Sequence, residues 1–314
     1  LSIVTSAYFL GFLGGSIIAP GIINRVGHVR VFAALASFIS ATLILYPVLP
    51  FFWAWVFLRI LIGFCFSGVY VTAESWLNNS ATNQTRGKIL SLYLIVQMAG
   101  LITGQALLNI GEPEGYLLFI IPSVLVSISF APILLSVSKG PTFEETKKMS
   151  FKRLYQASPL GFIGCFIVGA VLSGQFGMAA IYGTQIGLSI KEISFFMSSI
   201  FVGGLCLQYP IGWISDRIDR RVLIISASVL GLLSVFAGLL LWKVYILLLA
   251  VGFFLGGVSN PLYSLLIAYT NDYLDPDDMT AASGGLIFIT GLGAVIGPLL
   301  FGWFMFNFGP SGFW

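Results

Sequence analysis

The chain has 314 residues, 58% of them hydrophobic, with only 15 Lys+Arg and 12 Asp+Glu, 9% charged in all. A water-soluble domain normally carries about 25% charge, so this composition, with a mean hydropathy of +0.98, excludes a soluble enzyme and a disordered chain, and a scattered net charge of +3 excludes a nucleic-acid binder. What remains is a polytopic membrane protein built of helices, because the apolar runs are long and continuous rather than the short alternating segments of a membrane β-barrel.

A helix that crosses about 30 Å of hydrocarbon needs about 20 mostly apolar residues. In chain order the candidates lie at roughly 1–20, 31–47, 51–73, 89–109, 116–138, 158–186, 193–212, 222–241, 244–269 and 280–306. The fold class is therefore all-α with ten spans. The first run opens at Leu1, which is no initiator methionine, and is already mid-helix in character without a signal-peptide pattern. The chain is expected to be a fragment, trimmed at the front and at the back.

Arg59 sits well inside the third run. A mid-helix arginine costs roughly 2.5–3.5 kcal/mol on insertion scales, so it should face protein or a water-filled cavity. Its functional readings are anion binding or electrostatic control of proton movement. The plainer reading is a structural arginine that caps carbonyls or snorkels to the surface. Glu74 lies 15 residues further along the same run, about 22 Å away at 1.5 Å per residue, so it cannot pair with Arg59. It is expected to meet Arg25 or Arg30 at the rim rather than to bind substrate.

The longest polar stretch runs from Ser138 to Ser158 and reads as a linker between two five-span halves. Ser189-Ile-Lys-Glu192 is a capping-box pattern, and Asp275-Pro-Asp-Asp278 supplies an N-cap, a first-turn proline and two first-turn acids for the last run. Gln97, Gln105, Gln175, Tyr182, Gln185, Gln208, Asn260 and Tyr263 are polar residues within apolar runs. Facing lipid they would be costly, so they should face the interior as interhelical glue or as substrate contacts. Cys65, Cys165 and Cys206 lack CxxC spacing and read as small core residues. His28, the single histidine, cannot make a metal site alone, so neither metal nor cofactor is expected. No GxxxxGK[ST] loop exists to support ATP drive.

Lys and Arg alone set orientation. One alternate set of loops holds Arg25, Arg30, Arg86, Lys88, Lys139, Lys147, Lys148, Lys152, Arg153, Arg217, Arg220 and Arg221; the other holds only Lys191 and Lys243. Twelve against two places the first set in the cytoplasm and both chain ends outside.

The halves resemble each other. Gly212-Trp-Ile-Ser-Asp216-Arg217-Ile-Asp219-Arg220-Arg221 and Pro20-Gly-Ile-Ile-Asn24-Arg25-Val-Gly27-His28 each follow a span, with Asp216 and Asn24 offset by 192 residues. Gly100-xxx-Gly104 and Gly293-xxx-Gly297 repeat at an offset of 193. Two landmarks at nearly one spacing argue for duplication, and parallel halves of this kind are a transporter architecture.

At these residues the chain resembles the major facilitator superfamily. Its loop signature, G-x-L-(A/S)-D-R-x-(G/D)-R-(R/K), is nearly complete at Gly212–Arg221 and degenerate at Pro20–Val29. In the degenerate copy proline replaces the glycine, Asn24 the aspartate and His28 an arginine. Arg59-Ile-Leu-Ile-Gly63 matches the superfamily's arginine–glycine motif. The stretch from Ala73-Glu74-Ser75-Trp76-Leu77 through Arg86-Gly87 resembles a bacterial subgroup, the YcaD-like transporters.

The resemblance implies a twelve-span fold of two pseudo-symmetric bundles, with the ten runs as spans two to eleven. An N-terminal bundle would occupy 1–138 and a C-terminal bundle 158–314, joined by a cytoplasmic linker at 139–157. It implies a multi-pass protein of the plasma membrane, here the bacterial inner membrane, acting as a monomer on a small-molecule substrate with a possible coupling proton. Arg59, Tyr182, Asn260 and Tyr263 would belong to cavity-lining spans. Asn24, Arg25, Glu74, Gly212, Asp216, Arg217, Arg220 and Arg221 would form gate latches that hold one conformation of the cycle. The plainer reading of those loops is charge for topology alone. Gly291-Leu-Gly293-Ala-Val-Ile-Gly297-Pro298 resembles the glycine–proline motif of antiporters but lies in the wrong span, which favours tight packing and a bend. The expected function is secondary transport by alternating access. The alternative is a transporter-like receptor or assembly partner without flux, which the degenerate first loop permits. A membrane-embedded enzyme lacks candidate catalytic residues.

Overall fold

The computed structural model describes residues 1–80, 86–112, 115–134 and 150–314. Lys139, Glu145, Lys147, Lys148 and Glu114, with most of the expected linker, lie outside the described residues, as do the side chains of Arg86 and Lys88.

The described chain is helical. In order, α1 is Ser2–Val26, α2 His28–Val48, α3 Phe52–Ser80, α4 Arg86–Leu107, α5 Leu117–Ser129, α6 Ala131–Leu134, α7 Phe151–Ala157, α8 Pro159–Gln185, α9 Ile190–Ser215, α10 Arg220–Leu241, α11 Tyr245–Asn271 and α12 Pro276–Phe308, followed by a 3-10 turn over Gly309–Phe313. Eight of these carry stretches long and apolar enough to cross a membrane. The fourth expected span corresponds to α4, whose 22 residues include the described apolar segment Ile95–Leu107, and the fifth to α5, Leu117–Ser129. The fifth breaks at Phe130, where Pro132 lacks the N–H that would bond the Ile128 carbonyl and its ring crowds that oxygen.

Local chemistry sets the boundaries. Gly27 separates α1 from α2 at φ +88°, a conformation that costs other residues. Ser189 and Glu192 complete a reciprocal capping box at the start of α9. Ser158 caps α8 through the Gly161 N–H at 3.1 Å, directly before Pro159. The last third of the expected linker is itself a helix. α7 is capped by Ser150, buries Leu154 completely, stacks Phe151 on Phe288 at 5.2 Å and pairs Arg153 with Asp278 at 2.5 Å.

The contacts divide the chain into two units. The first holds α1, α2, α3, α5, α6 and the start of α4, around a core of Ile23, Val31, Leu35, Ile39, Tyr46, Leu58, Ile62 and Cys65. Here α1 and α3 approach closely. A Cβ on Gly11 would strike the Ile60 carbonyl, and one on Gly63 the Tyr8 carbonyl.

The second unit holds 98–109 and 150–314. One of its apolar clusters centres on Leu154, Leu266 and Leu286, the other on Tyr182, Phe196 and Ile200. Its helices pair through small residues, α8 with α12 at Gly169, Gly293 and Gly297, and α9 with α11 at Gly203 and Gly256. Outward faces carry large bare apolar side chains, such as Phe306 at 88% and Leu240 at 79% exposure. A surface of that kind is stable against lipid and not against water.

Candidate functional site

The complete loop signature builds a charged strut in the second unit. α9 ends at Ser215 with Asp216 as its C-cap, and Asp219 caps α10 by accepting the Arg221 N–H at 2.8 Å. These caps fix the backbone, so the three arginines leave in set directions. Arg217 turns back on its own helix, 3.7 Å from the Trp213 ring centre, and donates to the Trp213 carbonyl at 2.8 Å. Arg220 lies 3.8 Å from Asp216 and forms a closer pair with Asp272. Arg221 donates to the hydroxyls of Tyr269, at 3.1 Å, and Tyr273, and its guanidinium also sits over both rings.

Tyr269 lies in the last turn of α11, Asp272 is its C-cap and Tyr273 follows in the turn tied by its N–H to the Thr270 carbonyl, so the three sit together at the end of that helix. The result is a polar cleft of about 620 Å³ lined by both sides of the strut. Asp216 is 71% exposed, so its pair with Arg220 contributes little. The Arg220–Asp272 contact is a charge-assisted hydrogen bond with the arginine 25% exposed, and after discounting for solvent it is worth on the order of 1 kcal/mol. Tyr269, Asp272 and Tyr273 were not expected as latch partners. Their spacing at the end of the neighbouring span was the available signal.

The degenerate loop in the first unit is built differently. Asn24, Arg25 and Arg30 are exposed, and none makes an ion pair among the described residues. His28 is buried and its Nε2 lies 3.0 Å from Ser75 Oγ. Ser75 donates its own hydrogen to the Thr72 carbonyl at 3.1 Å, so the ring nitrogen is the donor in this contact. Glu74 meets neither Arg25 nor Arg30; it accepts the Tyr93 hydroxyl at 3.3 Å. A neutral histidine–serine tie replaces the arginine–aspartate pair.

Of the expected cavity residues, Arg59 belongs to the first unit and Tyr182, Asn260 and Tyr263 to the second. Arg59 is exposed, its guanidinium 5.5 Å from the centre of the Tyr46 ring. Among the described residues no carboxylate lies within ion-pair distance of it. Tyr182 is 1% exposed, stacked on Phe313 at 4.8 Å, in the wall of a 370 Å³ pocket with Gln185, Trp242 and Trp314. Asn260 is half-buried and donates to the Gly256 carbonyl at 3.0 Å, and Tyr263 packs against the Leu266 cluster.

Two glutamines act between helices, Gln175 donating to Ser259 at 2.9 Å and Gln208 to Ser264 at 3.0 Å. Gln105 offers its backbone carbonyl to Ser194 at 2.6 Å. The two glycine pairs differ. Gly293 and Gly297 sit against the carbonyls of Phe166 and Ala170, and Pro298 lies within the same helix. Among the described residues, a Cβ on Gly100 or Gly104 would meet nothing within 4 Å, so no close approach to them is made at that pair.

An all-helical membrane chain with duplicated loops at the ends of its spans defines the class of polytopic transporters. The chain belongs to the Major Facilitator Superfamily, whose family model matches residues 1–189 and 161–314. It is 27% identical over 319 residues to an uncharacterised MFS-type transporter of Enterobacter sp. (strain 638), covering 99% of this chain and 81% of that one. It is 28% identical over 320 residues to the uncharacterised MFS-type transporter YcaD of Escherichia coli O6:H1, with the same coverage. Among solved structures, the fold is similar to a mutant form of the nucleoside transporter NupG, with a TM-score of 0.78, 13% identity and coverage of 100% of this chain and 87% of that one. It is also similar to a D-xylose–proton symporter, with a TM-score of 0.71, 15% identity and coverage of 99% and 84%. At those identities the likeness is one of fold.

Proposed function

We propose that the chain is the body of a secondary transporter that moves a small solute across the bacterial inner membrane by alternating access. In this reading 1–138 and 158–314 act as the two bundles and 139–157 as their cytoplasmic linker, with the basic loops inside the cell. Arg59, Tyr182, Asn260 and Tyr263 belong to the solute path.

The observation that carries the gating part is the strut of Arg220 and Arg221 against Asp272, Tyr269 and Tyr273. A loop charged only for topology needs no partners. This one is tied at three points to the end of a neighbouring helix, at Asp272, Tyr269 and Tyr273, and at two to its own caps, Asp216 and Asp219. Such ties are suited to hold one conformation of a cycle and to break in the other. The neutral His28–Ser75 tie supports a weaker gate at the corresponding loop of the first half.

Arg220→Ala and Asp216→Asn test this in the full-length protein. Both should lower initial uptake per folded molecule with little loss of expressed protein. Removing about 1 kcal/mol of conformational bias at Arg220 corresponds to roughly fivefold, and Asp216→Asn should do less because that pair is solvated. Parent rates in both variants would leave the loop as a topology signal only.

A further inference from the structure

Among the described residues of unit one, Arg59 has no counter-charge, and its surroundings describe what is missing. Arg59 lies seven residues from the first residue of α3, about 10 Å along a helix that is apolar on either side of it. A guanidinium at that depth is stabilised by an anion, by carbonyls or by water. Among the described residues no carboxylate reaches it, and Glu74 is 15 residues away on the same helix.

The groups around it are phenols. The Tyr46 ring lies 5.5 Å beneath the guanidinium carbon. Tyr46 is 4% exposed, and its hydroxyl has no hydrogen-bond partner among the described residues. A buried hydroxyl left unmet keeps its full desolvation penalty. The Tyr8 and Tyr46 phenols both lie within electrostatic reach of Arg59. Two hydroxyl donors and one five-donor fork form a set that lacks only an acceptor carrying one negative charge.

The walls are aromatic. Tyr46 meets Trp55 edge-on at 5.6 Å, and Trp55 is fixed by its indole N–H on the Tyr46 carbonyl at 3.1 Å. Tyr8 and Phe12 neighbour each other at 6.1 Å, and Phe12 and Tyr70 at the same separation. Rings in that number can hold the apolar body of a solute.

We infer that Arg59 and Tyr46 form a seat for the carboxylate of a monoanionic organic acid with an apolar or aromatic body, and that such an acid is the solute class. The inference rests on the reading of Arg59 as part of the solute path. One guanidinium matches one carboxylate, whereas a phosphate dianion would leave a net negative charge in a low-dielectric site.

The test uses the full-length protein in nanodiscs of neutral lipid. The rate of phenylglyoxal modification at Arg59 is read by peptide mass spectrometry, with 20 mM benzoate, inorganic phosphate or benzamide at matched ionic strength. Protection follows the occupied fraction, so benzoate at four times its dissociation constant slows the reaction about fivefold. Benzamide and phosphate should leave the rate unchanged. Arg217, which belongs to the second unit and rests on Trp213, should react at the same rate throughout. Tyr46→Phe should at least halve the protection by benzoate.

Equal rates with benzoate and benzamide would overturn the inference, as would stronger protection by phosphate. So would an Arg59 that fails to react under every condition, since a protein carboxylate would then already hold it. Solute flux is read separately. Flux without protection leaves the carrier and removes the acid; protection without flux leaves the seat and removes the carrier.

Discussion

Arg221 shows how one side chain can serve as both a charge and a spacer. Its Nε and one terminal nitrogen donate to two phenol oxygens four residues apart at the end of α11. Lysine could not reproduce this, because a point charge lacks the planar fork. Replacing both phenols, as Tyr269→Phe with Tyr273→Phe, keeps the rings and the cation–π contacts but removes both acceptors. That variant takes both charge-assisted hydrogen bonds from the exposed guanidinium at once, leaving only the ring contacts. The double variant should fold at parent yield and transport several-fold more slowly, while Arg221→Lys in the parent should resemble it. Unchanged initial rates in both would show that the phenols only pack.

At this scale the sequence was legible in its loop chemistry and silent about partners. Asp216, Arg217, Arg220 and Arg221 were named from a spacing pattern. Tyr269 and Tyr273 were not, because a tyrosine near the end of an apolar run also reads as an interfacial anchor. The tie of Glu74 to Tyr93 rather than to an arginine depends on how α3 and α4 meet, which no local pattern encodes.

Among the elements, close helix pairs follow glycines that abut carbonyls. A Cβ at Gly293 would run into the Phe166 carbonyl and crowd the Ala170 nitrogen at 3.1 Å, and backbone cannot move aside as a side chain can. Overpacking there costs about 1–3 kcal/mol or more. Gly293→Val should therefore lower the thermal midpoint and the folded yield of the full-length protein. Gly104→Ala, set in open space, should change neither and has slightly better helix propensity in its favour. A Gly293→Val protein with parent stability would contradict the pairing of α8 with α12.

The same contrast shows the reach of pattern reading. Gly100-xxx-Gly104 and Gly293-xxx-Gly297 look identical in sequence, yet only the second faces a carbonyl ridge. Long apolar runs predict ten spans, and among the described residues eight of them meet helices long and apolar enough to cross a membrane. The break at Pro132 was also visible as a residue type, but a run that continues on both sides of a proline masks it. α7 escaped because seven residues in a polar stretch carry too little periodicity, and its anchor, Leu154, is a single apolar position.

For the whole molecule, nine per cent charge and a twofold repeat set the class before any contact was known. Fold and family membership were legible because they reside in composition, span count and duplicated loops. The solute was not, since cavity chemistry is carried by a few side chains brought together from distant helices. The central claim is movement of a solute by alternating access, and counterflow in proteoliposomes of the full-length protein measures it most directly. Vesicles are preloaded with an unlabelled acid, benzoate first and then longer apolar monocarboxylates, and diluted into a trace of the labelled form. The account predicts transient accumulation of label above equilibrium, absent from protein-free vesicles and reduced in Arg220→Ala. Label that only equilibrates at the rate of empty vesicles, for every acid that protects Arg59 from modification, would contradict transport and leave a receptor.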